Sequence, residues 1–226
     1  MNIIAVINQK GGVGKTTLAS TLAVLAHMDG FSTAMLDTDL QAGLARWHQD
    51  RQQFTGRPEP RLLVANDEND PGKVRRAVKA AQKAGVEWLF IDTAAGIARL
   101  QVVAAEVADL ILIPCSPSKR DQIGTVPSVH LAKQHGKKAF FVINKGSQSK
   151  AINDATATGL SSALGLPTVS THIVRRQPTV ESEQTGEALP ELESKEASVA
   201  RGQAEFHELW SWMKRQFSKQ EMAAHV

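Results

Sequence analysis

The 226-residue sequence predicts a single α/β domain: a mostly parallel, twisted β-sheet covered by helices on both faces. Three observations predict it. Short apolar runs alternate with amphipathic stretches along the chain, the pattern of strands joined by crossover helices. A glycine-rich turn, "VINQKGGVGKTT" at residues 6–17, joins the first apolar run to the first amphipathic stretch. Two further apolar runs, "TAMLD" and "WLFID", end in carboxylates, and ligands of parallel sheets gather at the carboxyl ends of strands.

Strands are expected at residues 3–8, 33–37, 62–65, 88–92, 110–114, 139–144 and 168–173, with helices in the intervals. The helix over 15–29 is apolar at Leu18, Leu22 and Leu25 and stops at Gly30, a residue suited to the left-handed end of a helix. The helix over 71–84 opens with Asp70 as its cap and Pro71 at its first position, where a missing N–H is harmless. The last helix spans about 194–219. Its Phe206, Leu209, Trp210, Met213 and Phe217 form one stripe, and Trp212 falls off it. With Lys214 and Arg215 beside it, such a stripe either docks on the sheet or lies on a membrane. Docking is expected, and the tail "SKQEMAAHV" is too polar for an anchor. No repeat, low-complexity tract or linker interrupts the chain, so residues 1–226 are expected to form one domain with no separate N-terminal DNA-reading domain.

Composition narrows the function classes. At 42% hydrophobic and 22% charged, the chain reads as globular, and no apolar run reaches the roughly 18 residues of a membrane span. The start has no basic region or cleavage site, so it reads as a strand rather than a signal peptide. The single Cys115 excludes an internal disulfide and a multi-cysteine metal site, and a buried thiol is expected. These features suit the cytoplasm. The net charge of +3 is uneven. Residues 119–150 hold seven Lys/Arg against Asp121 alone, a net +6, and residues 181–196 hold six Glu against one Lys, a net −5. The basic segment is either a solvated face or the footprint of a polyanion.

The glycine-rich turn has the context of a phosphate loop. Gly11, Gly12 and Gly14 let the backbone wrap around phosphate with its N–H groups inward, and the helix N-terminus adds partial positive charge. Lys15 then faces the β- and γ-phosphates, Thr16 becomes a Mg²⁺ ligand and Thr17 donates to the α-phosphate. The loop departs from G-x-x-x-x-G-K-[ST], because Gln9 stands where the leading glycine belongs and Lys10 adds a second lysine. Asp92 suits a carboxylate that holds Mg²⁺ through water. Asp37 and Asp39 alternate along one strand, so both face the phosphates if that strand persists, and one is a candidate to orient the attacking water. "VINKGS" has the start of a guanine-reading N-K-x-D motif, but Ser147 replaces its carboxylate. Asn144 can still bond a base edge, and adenine is the expected base.

"KGGVGKTT" matches K-G-G-x-G-K-[ST], and the chain thereby resembles the ParA/MinD family of deviant Walker A ATPases, a P-loop group. The resemblance continues through Asp37-Thr38-Asp39-Leu40-Gln41, "DTAAG" from Asp92, and "STHIVRRQPTVESEQTGEAL", reaching about residue 217. The short form is similar to the small ParF-like plasmid-partition ATPases. Two departures stand out. Leu40 replaces a usual proline, and Ala94 and Ala95 replace two more. The resemblance implies a role for Lys10, which would cross to the nucleotide of a partner subunit, so that ATP becomes part of a homodimer interface. It further implies that Asp39 serves hydrolysis and that Asp37 and Asp92 serve the metal. The implied function is ATP- and Mg²⁺-dependent DNA segregation with non-specific DNA and a centromere-binding ParB-like protein as partners, and no membrane. Candidate DNA contacts are Lys145, Lys150, Arg175 and Arg176. The alternative is a MinD-like or cargo-positioning or transfer ATPase acting at a membrane or cell pole rather than on DNA; the cargo-loading kind would share every motif, whereas the MinD kind needs a C-terminal amphipathic anchor that "SKQEMAAHV" does not supply. A relative of the nitrogenase iron protein would need bridging cysteines that the chain lacks.

Overall fold

The computed structural model describes residues 1–96 and 99–223, without the side chains of 219–223. The elements in chain order are β1 (Asn2–Val6), α1 (Lys15–Met28), β2 (Thr33–Asp37), α2 (Gly43–Thr55), β3 (Arg61–Val64), α3 (Gly72–Lys83), β4 (Trp88–Asp92) and α4 (Arg99–Val107). They continue as β5 (Leu110–Cys115), α5 (Lys119–Ile123), α6 (Val126–Gln134), β6 (Lys138–Gly146), α7 (Lys150–Leu164), β7 (Ile173–Val174), α8 (Gln177–Gln184) and α9 (Ala197–Ala223). A short 3-10 turn, Leu189–Glu191, precedes α9. The seven strands form one sheet in the order β3-β2-β4-β1-β5-β6-β7, and every pair is parallel.

Alternate residues of a strand face opposite sides, and the central strands show why the sheet is buried on both. Ile4, Val6, Trp88, Phe90, Leu110 and Leu112 point into a core under α1, α2 and α9. Ile3, Ala5, Leu89, Ile91, Ile111 and Ile113 point into a second core under α3, α4, α6 and α7. The predicted stripe of α9 is consumed in the first core, where Trp210 meets Trp88 edge-on at 4.7 Å and Phe217 meets Trp88 at 5.1 Å. Burying side chains of this size contributes about 1.5–3 kcal/mol each. Off the stripe, Trp212 still packs edge-on against Phe140 at 4.7 Å. Cys115 is fully buried, and burial pushes its thiol up to about 12.

The structure bears out the stop of the first helix at Gly30 and corrects other boundaries. Gly30 at φ 88 lies just past the end of α1. Its N–H bonds His27 O and the N–H of Phe31 bonds Ala26 O, which closes the helix. Asp70 does not cap α3 with its side chain. Its carboxylate pairs with Arg76 instead, and Pro71 takes the cap position. α9 starts at Ala197 rather than near 194. The seventh strand is only Ile173–Val174, and β6 bulges opposite it at Lys145, which sits at φ 53. Thr168 keeps one isolated bridge, to Phe141.

Candidate active site

The carboxyl ends of β1, β2 and β4 meet beside the phosphate loop. Ile7 extends β1 by one bond to Leu112 O, and Asn8 then ends it. The Asn8 amide donates to Pro114 O at 2.7 Å, and its Oδ1 accepts the Lys10 N–H at 2.8 Å. The loop needs glycine at two places. Gly12 and Gly14 stand at φ 79 and φ 84, and a Cβ on Gly14 would lie 2.4 Å from Asn144 Nδ2. Gln9, in place of the leading glycine, accepts the Gly96 N–H at its carbonyl and ties the loop to the segment after β4.

The two lysines are placed oppositely. Lys15 is buried, and its Nζ reaches the Lys10 carbonyl at 3.3 Å. Burial lowers the pKa of its ammonium, against the raising effect of Asp92 and Asp39. Lys10 has an exposed side chain, with Gly11 and Gly12 exposed next to it. Gly124, after α5, leaves room for it, since a Cβ there would press on Lys10 Cβ at 2.9 Å.

The Thr16 hydroxyl donates to Asp92 Oδ2 at 2.6 Å. Asp92 is fully buried, and its Oδ1 has no hydrogen-bond partner. Burial pushes its carboxyl up to about 7, with the Thr16 and Lys15 contributions opposing and the Asp37 and Asp39 charges adding. A buried oxygen without a donor, beside a threonine hydroxyl, fits a hydrated cation. Among the described residues, no cluster of three or more His, Cys, Asp or Glu could hold a metal, as expected where Mg²⁺ is held largely by phosphates and water.

Asp37 and Asp39 are brought to the same end but do different work. Asp37 Oδ1 accepts the Asp39 N–H and Oδ2 accepts the Ala45 N–H, each at 2.9 Å. Asp37 thus fixes the loop after β2 to the first turn of α2. Burial raises its pKa, and those two N–H groups oppose the rise. β2 ends at Asp37, so Asp39 projects from the following loop, where its Oδ1 accepts the Gln41 N–H at 2.8 Å. Leu40, in the place of the usual proline, is exposed, and Ala42 takes φ 50. Thr38 Oγ1 bonds Asp92 O and Thr93 Oγ1 bonds Val6 O, which locks the three strand ends together. Ala94 is buried and its carbonyl accepts from Gln101 Nε2 at 2.6 Å.

Beyond Thr17 a cleft suited to a base is lined by Asn144, Ile173, Val174, Thr179, Val180 and Phe206. Asn144 spends its amide on the loop, donating to Val13 O at 2.8 Å, while lining this cleft. Lys145 Nζ donates to Gly12 O at 2.7 Å, so it braces the loop from outside. Arg176 turns inward. It binds both oxygens of Glu205 and the Val174 carbonyl, and its side chain is 7% exposed. Lys150 and Arg175 are exposed, and Lys150 pairs with Asp154. The larger cleft around Arg51, Arg57 and Glu191 lies at the far end of α2, away from the phosphate loop.

Two contributors were not singled out from the sequence. Glu183 of α8 lines the same clefts as Thr17, and burial raises its pKa against the opposing Thr17 hydroxyl and Lys145 charge. Its acidic, Gly-containing stretch was visible, but no spacing marked this one residue. Arg51 of α2 binds both oxygens of Glu191 at 2.6 Å, Glu59 O at 2.8 Å and Gly186 O at 3.1 Å. No local pattern could pair two residues so far apart in the chain.

Residues 4–189 match the CobQ/CobB/MinD/ParA nucleotide binding domain. The chain belongs to that family. Protein ParA of Rhizobium radiobacter is 26% identical over 208 residues, which is 88% of this chain and 90% of that protein. Protein virC1 of the same organism is 29% identical over 114 residues, and the chain spans about half its length, 48%. The maintenance of carboxysome distribution protein A of Halothiobacillus neapolitanus is 26% identical over 179 residues, 76% of this chain and 79% of that protein. In fold, the chain resembles the septum site-determining protein MinD of Pyrococcus horikoshii, solved with Mg-ADP, at a TM-score of 0.71 and 18% identity. The match covers 94% of this chain and 95% of that one.

Proposed function

We propose that this family member is a ParA-type ATPase that binds Mg-ATP, forms a homodimer across the nucleotide, binds DNA without sequence preference and segregates plasmid or chromosomal DNA. Family membership and the match to ParA over most of both chains support the class. The observation that carries the reading is the opposite placement of two lysines on one loop. Lys15 is buried with its Nζ inside the loop at the Lys10 carbonyl, and Lys10 is exposed at the rim. A cation held outward beside the phosphate cradle suits the γ-phosphate of a second subunit, where it offsets charge in the transition state.

Gly11, Gly12, Val13, Gly14, Thr16 and Thr17 cradle the phosphates, with Asn144 at the base cleft. Thr16 and Asp92 would hold Mg²⁺, Asp92 mainly through water, with Asp37 behind them. The bound cation would offset charge on the β- and γ-phosphates. Asp39 orients the attacking water. Hydrolysis is slow at rest and stimulated by DNA and a centromere-binding ParB-like partner. The protein works in the cytoplasm and sits on the nucleoid when ATP-bound.

Light scattering with and without Mg-ATP tests the reading. Lys10→Ala should keep nucleotide binding and lose the ATP-dependent dimer, and Lys15→Ala should lose both. An unchanged ATP dimer in Lys10→Ala would refute the role in trans. A second reading, an ATPase that positions some other cargo, draws support from the match to the carboxysome distribution protein. ATPase rates with and without DNA separate the two where that second ATPase acts at a membrane or cell pole rather than on DNA, because only the DNA-bound reading then predicts stimulation. A membrane-surface role has less support, since the apolar stripe of α9 is buried in the core.

A further inference from the structure

The four DNA contacts expected from the sequence lie at the nucleotide end of the sheet, and two of them, Lys145 and Arg176, are turned to other partners. The opposite rim carries a different basic surface. β6 starts there at Lys138 and reaches Asn144 at the phosphate loop six residues later, about 20 Å away at 3.3 Å per residue. Lys137 and Lys138 form the entry to β6, and Lys133 lies on the last turn of α6 beside them. Lys138 Nζ stands 5.9 Å above the Phe140 ring, Phe140 packs on Trp212, and Arg215 follows Trp212 by three residues on α9. Residues three apart on a helix are neighbours, so the contacts run continuously from α6 around the rim to α9.

Lys133, Lys138 and Arg215 are exposed and Lys137 is half-exposed; Lys133 Nζ donates to Leu164 O at 2.8 Å, which leaves the other three at the centre, and none of the four has an acidic partner within 4.0 Å among the described residues. Nearby acids are few. Glu106 is committed to Arg75, Asp109 accepts the Ile3 N–H, and Glu208 lies one turn before Trp212. By contrast, Lys150 at the nucleotide end is already paired with Asp154.

Resting on the DNA reading above, we infer that this rim, with Lys137, Lys138 and Arg215 at its centre, is the surface that meets the phosphates of duplex DNA. Cations around a half-exposed aromatic pair suit a phosphate backbone and carry no base code. The two rings are packed edge-on against each other, which suits a polyanion better than insertion into a bilayer. Placed away from the phosphate loop, the rim stays free when two subunits close over ATP. Each dimer then presents two such surfaces, and affinity rises through avidity.

Fluorescence anisotropy with a labelled duplex of arbitrary sequence, in Mg-ATP across a salt series, tests this. The neutral variant K137Q/K138Q/R215Q should bind at least about 10-fold more weakly, with the slope of log affinity against log salt reduced by about 2–3 per subunit engaged. K137R/K138R should bind like wild type, which shows that charge rather than packing is at work. Circular dichroism confirms that each variant is folded. If the rim variant binds like wild type while K150Q/R175Q loses binding, this inference is overturned and the DNA reading stands. If wild-type protein forms its ATP dimer yet binds no duplex, the DNA reading fails and the inference with it. Loss of binding to anionic vesicles in the rim variant would then assign the surface to lipid.

Discussion

Asp92→Asn probes the most perturbed carboxyl of the site. In the folded protein its pKa rises from 3.8 to about 7, chiefly through burial. Unfolded, it titrates near its ordinary value. Between those two pH values the folded state holds the extra proton, so stability falls as pH rises through the window. The stabilising proton is fully present below the unfolded pKa and is lost above the folded one. The rise corresponds to about 4 kcal/mol at pH 8, at about 1.4 kcal/mol per pH unit. An asparagine keeps an acceptor for the Thr16 hydroxyl and removes the buried charge. In chelator and without nucleotide, Asp92→Asn should therefore be the more stable protein at pH 8, with a melting temperature higher by on the order of 10 °C. At pH 5 the advantage should shrink to about 2 kcal/mol, because the wild-type carboxyl is then protonated in the fold, and the cost that remains is that of taking up this proton about one pH unit above the unfolded pKa, where the unfolded carboxyl is mostly ionised. Thermal melts by circular dichroism from pH 5 to 8 read this directly. An advantage that stays constant across that range, or a variant less stable at pH 8, refutes the assignment of a charged, unpartnered carboxylate. Adding Mg-ATP should stabilise wild type more than the variant, because only wild type gains relief of that charge.

Two further outcomes follow from the same geometry. Asp39→Ala should bind ATP, hydrolyse it at least about 100-fold more slowly and accumulate as the ATP dimer, on the scale of losing a group that acts on the reacting water. Phosphate release and light scattering check this, and a wild-type rate contradicts the water-orienting role. Arg51→Met should cost about 2–3 kcal/mol, below the full cost of an orphaned buried charge, because Glu191 keeps the exposed Arg57 and the Ala188 N–H as partners, whereas Arg51→Met combined with Glu191→Leu should recover much of it. Urea titrations decide, and a double variant no better than the single one would mean that the ion pair is not the source of the loss.

How much of this could be read beforehand differs from element to element. The phosphate loop was legible because its signals are local: an apolar run, three glycines, and Lys15 at the head of an amphipathic helix. Asp37 and Asp92 were legible as strand-end acids, and both strands fall at the predicted residues. Their separate surroundings were not. That Asp37 is held by two backbone N–H groups while Asp92 Oδ1 has none depends on how α2 leaves the sheet. The seventh strand is shorter than expected because residues 168–173 take five steps beside three of β6, an excursion that leaves no mark in composition or periodicity. Asp70 was misread because Arg76 competes for its carboxylate. Arg176 looked available for DNA because Glu205, 29 residues on, is invisible to a local reading.

The Arg51–Glu191 pair has a consequence for motion. α2 is fastened at its first turn to Asp37, beside the loop that carries Asp39, and near its far end to the Gly186–Glu191 segment that follows α8. α8 forms one wall of the base cleft. The helix is therefore a crossbar between the α8 wall of that cleft and the loop that carries Asp39. The two ends of α2 are thus tied into one frame, so a tilt of the helix would be felt both at the cleft wall and at the loop that carries Asp39.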